Sequence, residues 1–247
     1  MQNIVYGFHG VISLLNNCPD RVIKLYLDKD TKNKRVNQLL DLAKKFNLDI
    51  VYFDVKYLDK ITNVDTHQGV VAEVTLIENI DLVSFLSKLS NNNSQILILD
   101  GVTDPQNLGA IIRTSSCFGV DAVIIPKNNS ANINNPVVAK TSSGSLYIVP
   151  IIQVNNISQA IQVLQEYNYW VIGTTLSKDS ISLYEFDCRG KLVWVLGNEG
   201  SGIRRLVTEN CDYLVTIPIT NKMQSLNVSV SAGIILSHVK YFKLTHS

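Results

Sequence analysis

The chain has 247 residues, is 46 % apolar, carries a net charge of +1 and contains four cysteines. That is apolar material for one large or two modest cores, and a charge near zero excludes the basic footprint of a protein that grips nucleic acid over its whole surface. No apolar run approaches the roughly 20 residues of a membrane span, and Met1-Gln2-Asn3 lacks the basic start of a signal peptide, so a cytoplasmic protein with no membrane partner is expected.

Cys18, Cys117, Cys188 and Cys211 lie far apart with no Cys-x-x-Cys and no histidine at ligand spacing. Neither a metal site nor a redox dithiol is expected; free thiols are.

In chain order, residues 1–75 alternate helical and strand patterns. Gly7 to Asn17 suits a short helix, Val22–Leu27 a strand, Lys32 to Phe46 an amphipathic helix through Val36, Leu39, Leu40, Ala43 and Phe46, and Leu48–Phe53 a second strand. A helix from Val55 to Ile61 and a strand at Gly69–Val74 complete a small α/β domain. Its densest basic stretch runs from Lys29 to Lys45, either as a solvated helix face or as a local nucleic-acid patch. Residues 76–94 carry a short helical pattern and read as a linker that ends in the polar run Ser90-Asn91-Asn92-Asn93-Ser94.

From residue 95 to 247 the pattern restarts. Ile96–Leu99 is a continuous apolar run of the kind buried on both faces of a parallel sheet, and similar runs return at Ala122–Ile125, Tyr147–Ile151, Trp170–Gly173, Leu192–Leu196 and Tyr213–Ile217. This predicts a parallel α/β domain with helices on both faces. Ligands of such sheets bind outside the carboxyl ends of the strands, so the loops after Leu99, Gly173, Leu196 and Ile217 are the places for chemistry.

Three stretches stand at those ends. Asp100 to Thr114 places Asp104 as N-cap and Pro105 at the first helical position, with Leu108, Ile111 and Ile112 facing the sheet and Arg113 beyond the small Gly109 and Ala110. Leu196-Gly197-Asn198-Glu199-Gly200-Ser201-Gly202 is a glycine-rich turn whose glycines permit positive φ and close backbone approach. It matches neither the dinucleotide nor the triphosphate fingerprint, and the glutamate suits a neutral or cationic ligand better than a phosphate. Ser225 to Gly233 carries two conflicting periods. Ser225 to Ser231 alternates like a strand, while Val228, Ala232, Ile235, Val239 and Phe242 fall at helical spacing.

Taken together, Asp100-Gly-Val-x-Asp-Pro-Gln-Asn-Leu-Gly-Ala-Ile-Ile-Arg-Thr, Leu196-Gly-Asn-Glu-Gly-x-Gly, and Ile217-Pro-Ile followed by Ser225-Leu-Asn-Val-Ser-Val-Ser-Ala-Gly resemble the signature motifs of the SpoU (TrmH-type) RNA ribose 2′-O-methyltransferases of the SPOUT superfamily. The likeness covers essentially all of residues 95–247. Tyr6-Gly7-Phe8-His9 and Thr66-His67-Gln68-Gly69-Val70-Val71-Ala72 resemble the ribosomal-protein-L30e-like substrate-binding domain of the same group. The resemblance implies a deep trefoil knot in the parallel-sheet domain, a homodimer formed through that domain, and S-adenosyl-L-methionine held by main-chain groups at Gly197, Ile217 and Leu226 and by Thr174.

It further implies that Asn107, Arg113, Glu199, Ser225 and Asn227 line the reacting centre. The implied substrate is a guanosine ribose in the peptidyl-transferase region of 23S rRNA, as naked RNA or in a ribosome-assembly particle. The alternatives are a tRNA guanosine ribose, or a non-catalytic RNA-binding assembly factor. The family role of Arg113 is that of base toward the 2′-hydroxyl. A guanidinium, with an ordinary pKa of about 12.5 or more, is almost never neutral, which favours an anchor for the neighbouring phosphate that also stabilises the developing alkoxide. Asn107 and Asn227 would position the arginine and the ribose, Glu199 would orient them, and Ser225 would bond the acceptor side. Phosphate contacts are expected from Lys32, Lys34 and Arg35. His9 and His67 are expected to be mainly structural.

Overall fold

The structure, a computed structural model, describes residues 3–31, 35–77, 79–177, 180–198, 200–220 and 225–246. The chain forms two compact units, Met1–Glu78 with Ile133–Ile148, and Asn79–Asn132 with Val149–Ser247.

The first unit opens with strand β1 (Asn3–Tyr6), helix α1 (Phe8–Asn17), β2 (Val22–Asp28), α2 (Arg35–Lys45), β3 (Ile50–Phe53), α3 (Val55–Thr62) and β4 (Val70–Val74). Its sheet has the order β1-β4-β2-β3, with β4 antiparallel to both neighbours and β2 parallel to β3. The sequence reading omits β1, whose four residues are too few to show a period, and it starts β3 two residues early. The chain turns there through Asn47 at φ 53°, with the Leu48 N–H donating to the Ala43 carbonyl. Phe8, Val11, Leu14 and Leu15 of α1 are buried against the sheet. Lys32 and Lys34 lie outside the described residues, and Arg35 is exposed at the start of α2.

The two histidines of this unit differ. His67 is buried, accepts the Gly69 N–H at Nδ1 (3.0 Å) and bonds the Asp59 carboxylate through Nε2 (2.8 Å), so it braces the turn into β4. His9 is exposed, with Nε2 3.1 Å from Nη1 of Arg35.

The second unit begins with α4 (Leu82–Lys88), β5 (Gln95–Asp100), α5 (Pro105–Phe118) and β6 (Ala122–Pro126). The short helical pattern of residues 76–94 is observed as α4. Asp81 caps α4 by accepting the Ser84 N–H, and Leu82 and Leu86 are buried in the core of this unit. The chain next returns to the first unit with α6 (Pro136–Ser142), which packs by β1, and with Ser145–Tyr147, which packs by α1. A Cβ on Gly144 would stand 2.7 Å from the Gly10 carbonyl oxygen, so the approach of this segment to α1 demands glycine.

The expected strand Tyr147–Ile151 is also corrected. Ser145–Tyr147 is a 3-10 turn, and the edge strand β7 (Ile151–Val154) starts only after Pro150, which accepts the Val123 N–H at its carbonyl (2.9 Å) and has no N–H of its own to donate.

There follow α7 (Ile157–Glu166), β8 (Trp170–Thr174), the two-residue β9 (Ile181–Ser182), β10 (Leu192–Gly197), α8 (Arg205–Glu209), β11 (Tyr213–Thr216) and α9 (Val228–Thr245). The seven strands have the order β7-β6-β5-β10-β8-β11-β9, and every pairing is parallel. Alternation along the strands divides the core. Ile96, Ile98, Ala122, Ile124, Val171, Val193 and Val195 turn to one face and pack with α4, α7 and α8. Leu97, Leu99, Trp194 and Leu196, equally buried, turn to the other, where the apolar faces of α5 and α9 meet. The α/β class and the parallel sheet read from the sequence are observed. Their consequence for function is that β5, β10, β8 and β11 are neighbours, so the loops at their carboxyl ends gather at one edge.

Candidate functional site

The glycine-rich loop after β10 folds back on itself. Gly202 donates its N–H to the Asn198 carbonyl (3.0 Å), and the Asn198 side-chain oxygen accepts from the N–H groups of Gly200 (3.0 Å) and Ser201 (2.7 Å). Gly202 adopts φ 67°. A Cβ on Gly197 would lie 2.0 Å from the Gly202 carbonyl carbon, so the loop's own backbone requires this glycine before any ligand does.

The loop is tied to the sheet at Asp100, the last residue of β5. Its enclosed carboxylate accepts the Arg204 backbone N–H at 2.8 Å, Nε at 2.7 Å and Nη2 at 2.7 Å. Asp100, Asn198 and Arg204 are the residues whose part here the sequence reading missed. Only the position of Asp100 at a strand end hints at it, since the partner lies 104 residues away.

Between this loop, the residues after β8 and the start of α9 lies a cavity of about 420 Å³. Thr174, Gly197, Ile217 and Leu226, the four residues expected to hold the cofactor, all line it. Leu196, Ile203, Ile219 and Val228 add apolar wall, while Thr175, Thr208, Ser225 and Ser231 add hydroxyls. The Thr174 hydroxyl is directed away, donating to the Val195 carbonyl at 2.9 Å, which joins the ends of β8 and β10.

Beside the cavity, Asn227 settles the conflict of periods. Ser225 to Asn227 is non-helical, and Asn227 caps α9 by accepting the Ser229 N–H (2.8 Å) and the Val230 N–H (3.4 Å) at Oδ1. Its Nδ2 then donates to Oδ1 of Asn107 on α5, at 3.0 Å. The strand-like alternation is thus a loop followed by a first helical turn, and Val228, Ala232, Ile235 and Val239 form the buried face of the helix.

Residues 120 positions apart are brought together. Arg113 is exposed two steps along the i, i+3 row from Asn107 through Ala110, whereas Gly109 lies on the buried side of α5 with Leu108, Ile111 and Ile112. Asn107, Arg113 and Asn227 do not line the cavity itself. Glu199 lies outside the described residues. Among the described residues no cluster of His, Cys, Asp and Glu suits a metal, and no helix is long and apolar enough to cross a membrane.

Residues 94–237 match the SpoU rRNA methylase family, and residues 4–79 match the RNA 2′-O ribose methyltransferase substrate-binding family. The chain belongs to the SpoU rRNA methylase family. It is 39 % identical over 238 residues to the 23S rRNA (guanosine-2′-O-)-methyltransferase RlmB of Coxiella burnetii, with 96 % of this chain and 94 % of that one covered. The enzyme of the same name from Neisseria meningitidis serogroup B is 40 % identical over 240 residues, with 97 % and 95 % covered. Among solved structures, the SpoU methyltransferase AviRb from Streptomyces viridochromogenes in complex with AdoMet shares the fold. Its TM-score is 0.81 at 22 % identity, with 99 % of this chain and 91 % of that one covered.

Proposed function

We propose that the protein transfers a methyl group from S-adenosyl-L-methionine to the ribose 2′-hydroxyl of a guanosine in 23S rRNA. The observation that carries the reading is the cavity at the carboxyl end of the parallel sheet, lined by Thr174, Gly197, Ile217 and Leu226 and flanked by the Asn227–Asn107 pair. Its mixture of apolar walls, hydroxyls and open main chain fits a ligand with a flat adenine, a ribose and a charged amino-acid end. Full-length similarity to two RlmB enzymes supports the choice of substrate.

S-adenosyl-L-methionine would supply an electrophilic methyl group on a sulfonium; the chain's part is to align the acceptor oxygen and accommodate its proton. Asn227 uses its oxygen on α9 and its amide on Asn107, so neither amide rotates and Asn107 presents a defined edge to the acceptor. Arg113 anchors the phosphate next to the acceptor ribose and stabilises the developing alkoxide. The Ser225 hydroxyl bonds the acceptor side, and Glu199 orients the group. Lys32, Lys34 and Arg35 of the first unit contact RNA phosphates.

The trefoil knot, the homodimer through the second unit, a cytoplasmic setting and the choice between naked rRNA and an assembly particle belong to the same proposal. Mapping 2′-O-methyl groups in 23S rRNA from cells with and without the gene tests it, with purified tRNA as counter-substrate. One guanosine should lose its methyl group in the deletion and regain it when the protein and S-adenosyl-L-methionine are added. An unchanged methylation map, or methylation of tRNA instead, would overturn the assignment.

A further inference from the structure

A second cleft, of about 340 Å³, lies at the opposite end of the same strands. Trp170, Leu192 and Tyr213 begin β8, β10 and β11, whose carboxyl ends border the cofactor cavity. The parallel rise of the strands separates the two sites by roughly 15 Å. The cleft's volume falls within the range of small-ligand pockets, roughly 300–1,000 Å³. Phe186 and Leu192 form its buried floor, while Trp170 and Tyr213 stand 52 % and 37 % exposed. The rings touch in sequence. Trp170 and Tyr213 have centroids 5.6 Å apart, and Tyr213 and Phe186 meet edge to face at 5.4 Å.

Large aromatics left exposed together at a cleft mark a binding surface more often than scaffold. The rim decides what would bind. Asp187 is neutralised by Arg189, which bonds both of its carboxylate oxygens, so Glu185 is the charge a ligand would meet there. Aromatic faces beside a carboxylate favour a cation, since the ring quadrupole and the carboxylate attract the same sign. They disfavour a nucleotide, whose phosphate would approach the carboxylate. We propose that this cleft is a binding site for a guanidinium or ammonium side chain presented by a basic protein segment.

The two tryptophans provide the test. Trp194 is fully buried and Trp170 half exposed, so acrylamide-quenchable emission belongs to Trp170. The full-length protein is titrated with acetyl-Gly-Arg-Gly-Arg-amide, with the same peptide carrying citrulline for arginine, and with guanosine monophosphate. The expected result is saturable protection of Trp170 by the arginine peptide alone, at least threefold weaker in Glu185→Gln, with S-adenosyl-L-methionine binding unchanged in that variant. Protection by guanosine monophosphate and not by the peptide would make the cleft a nucleobase site. No protection by any probe, or equal affinity for wild type and Glu185→Gln, would remove the cation site.

Discussion

Arg204→Ala and Asp100→Asn attack one contact from opposite ends and should not cost the same. The Asp100 side chain is fully enclosed, whereas that of Arg204 is 52 % exposed. Removing the arginine side chain leaves a buried carboxylate with the Arg204 backbone N–H as its remaining bond from that residue, the situation that costs roughly 3–5 kcal/mol. Asp100→Asn leaves a guanidinium that water can reach and an amide oxygen that still accepts from it, while the amide NH2 replaces the oxygen that accepted the Arg204 backbone N–H and loses that bond. The loss is then that of charge-assisted hydrogen bonding, about 1.5–3 kcal/mol. Arg204→Ala should therefore be the more destabilising by about 1–2 kcal/mol.

Both tryptophans, Trp170 and Trp194, belong to the second unit, so urea unfolding followed by tryptophan emission reports the unit that carries the pair. Because Arg204 anchors the end of the glycine-rich loop, titration calorimetry should show S-adenosyl-L-methionine binding about tenfold weaker in both variants, a change of about 1.4 kcal/mol. Equal destabilisation, or a larger effect from Asp100→Asn, would refute the reasoning from burial.

Asn227→Ala removes the cap of α9 and the bond to Asn107, while Asn107→Ala leaves the cap intact; Asn227→Ala should be the less stable by about 1 kcal/mol, although both slow methyl transfer. Equal stability in the same urea experiment would contradict the capping role. Arg113→Ala should slow single-turnover methyl transfer by about 10²-fold or more, with Arg113→Lys retaining part of the rate through its charge; full activity in the alanine variant would remove Arg113 from the reaction. For the thiols, burial pushes Cys188 and Cys211 up to about 12, so at pH 8 about one in 10⁴ is thiolate, the form that reacts. An aromatic disulfide reagent at that pH should modify the exposed Cys117 first and those two only on unfolding; rapid labelling of all four in the native protein would contradict this.

Much of the architecture is legible because it rests on local chemistry. Continuous apolar runs announce the buried strands of the second unit, and Asp104-Pro105 announces the start of α5, where Asp104 accepts the Gln106 N–H. The failures also have local causes. The strands β1 and β9 are too short for a period to be visible. The apolar residues at Tyr147–Ile151 imitate a strand until Pro150 and the turn at Gly144 are weighed. Pattern reading also gives residues 95–247 to one domain, because nothing in a linear pattern shows that 133–148 pack on α1.

For the site, the sequence by itself marked which residues are candidates for the chemistry. The three motifs supply the amides, the guanidinium and the glycine-rich turn, and a parallel sheet sends their loops to its carboxyl end. Only the tertiary structure decided which of them meet. Asn227 reaches Asn107 because α5 and α9 pack on one face of the sheet, and Asp100 holds Arg204 because β5 and β10 are neighbours despite the strands between them in the chain. It also decided what the motif at Ser225–Gly233 is. The same alternating residues satisfy a strand or a helix, and it is the cap at Asn227, with the buried face of Val228, Ala232, Ile235 and Val239, that selects the helix.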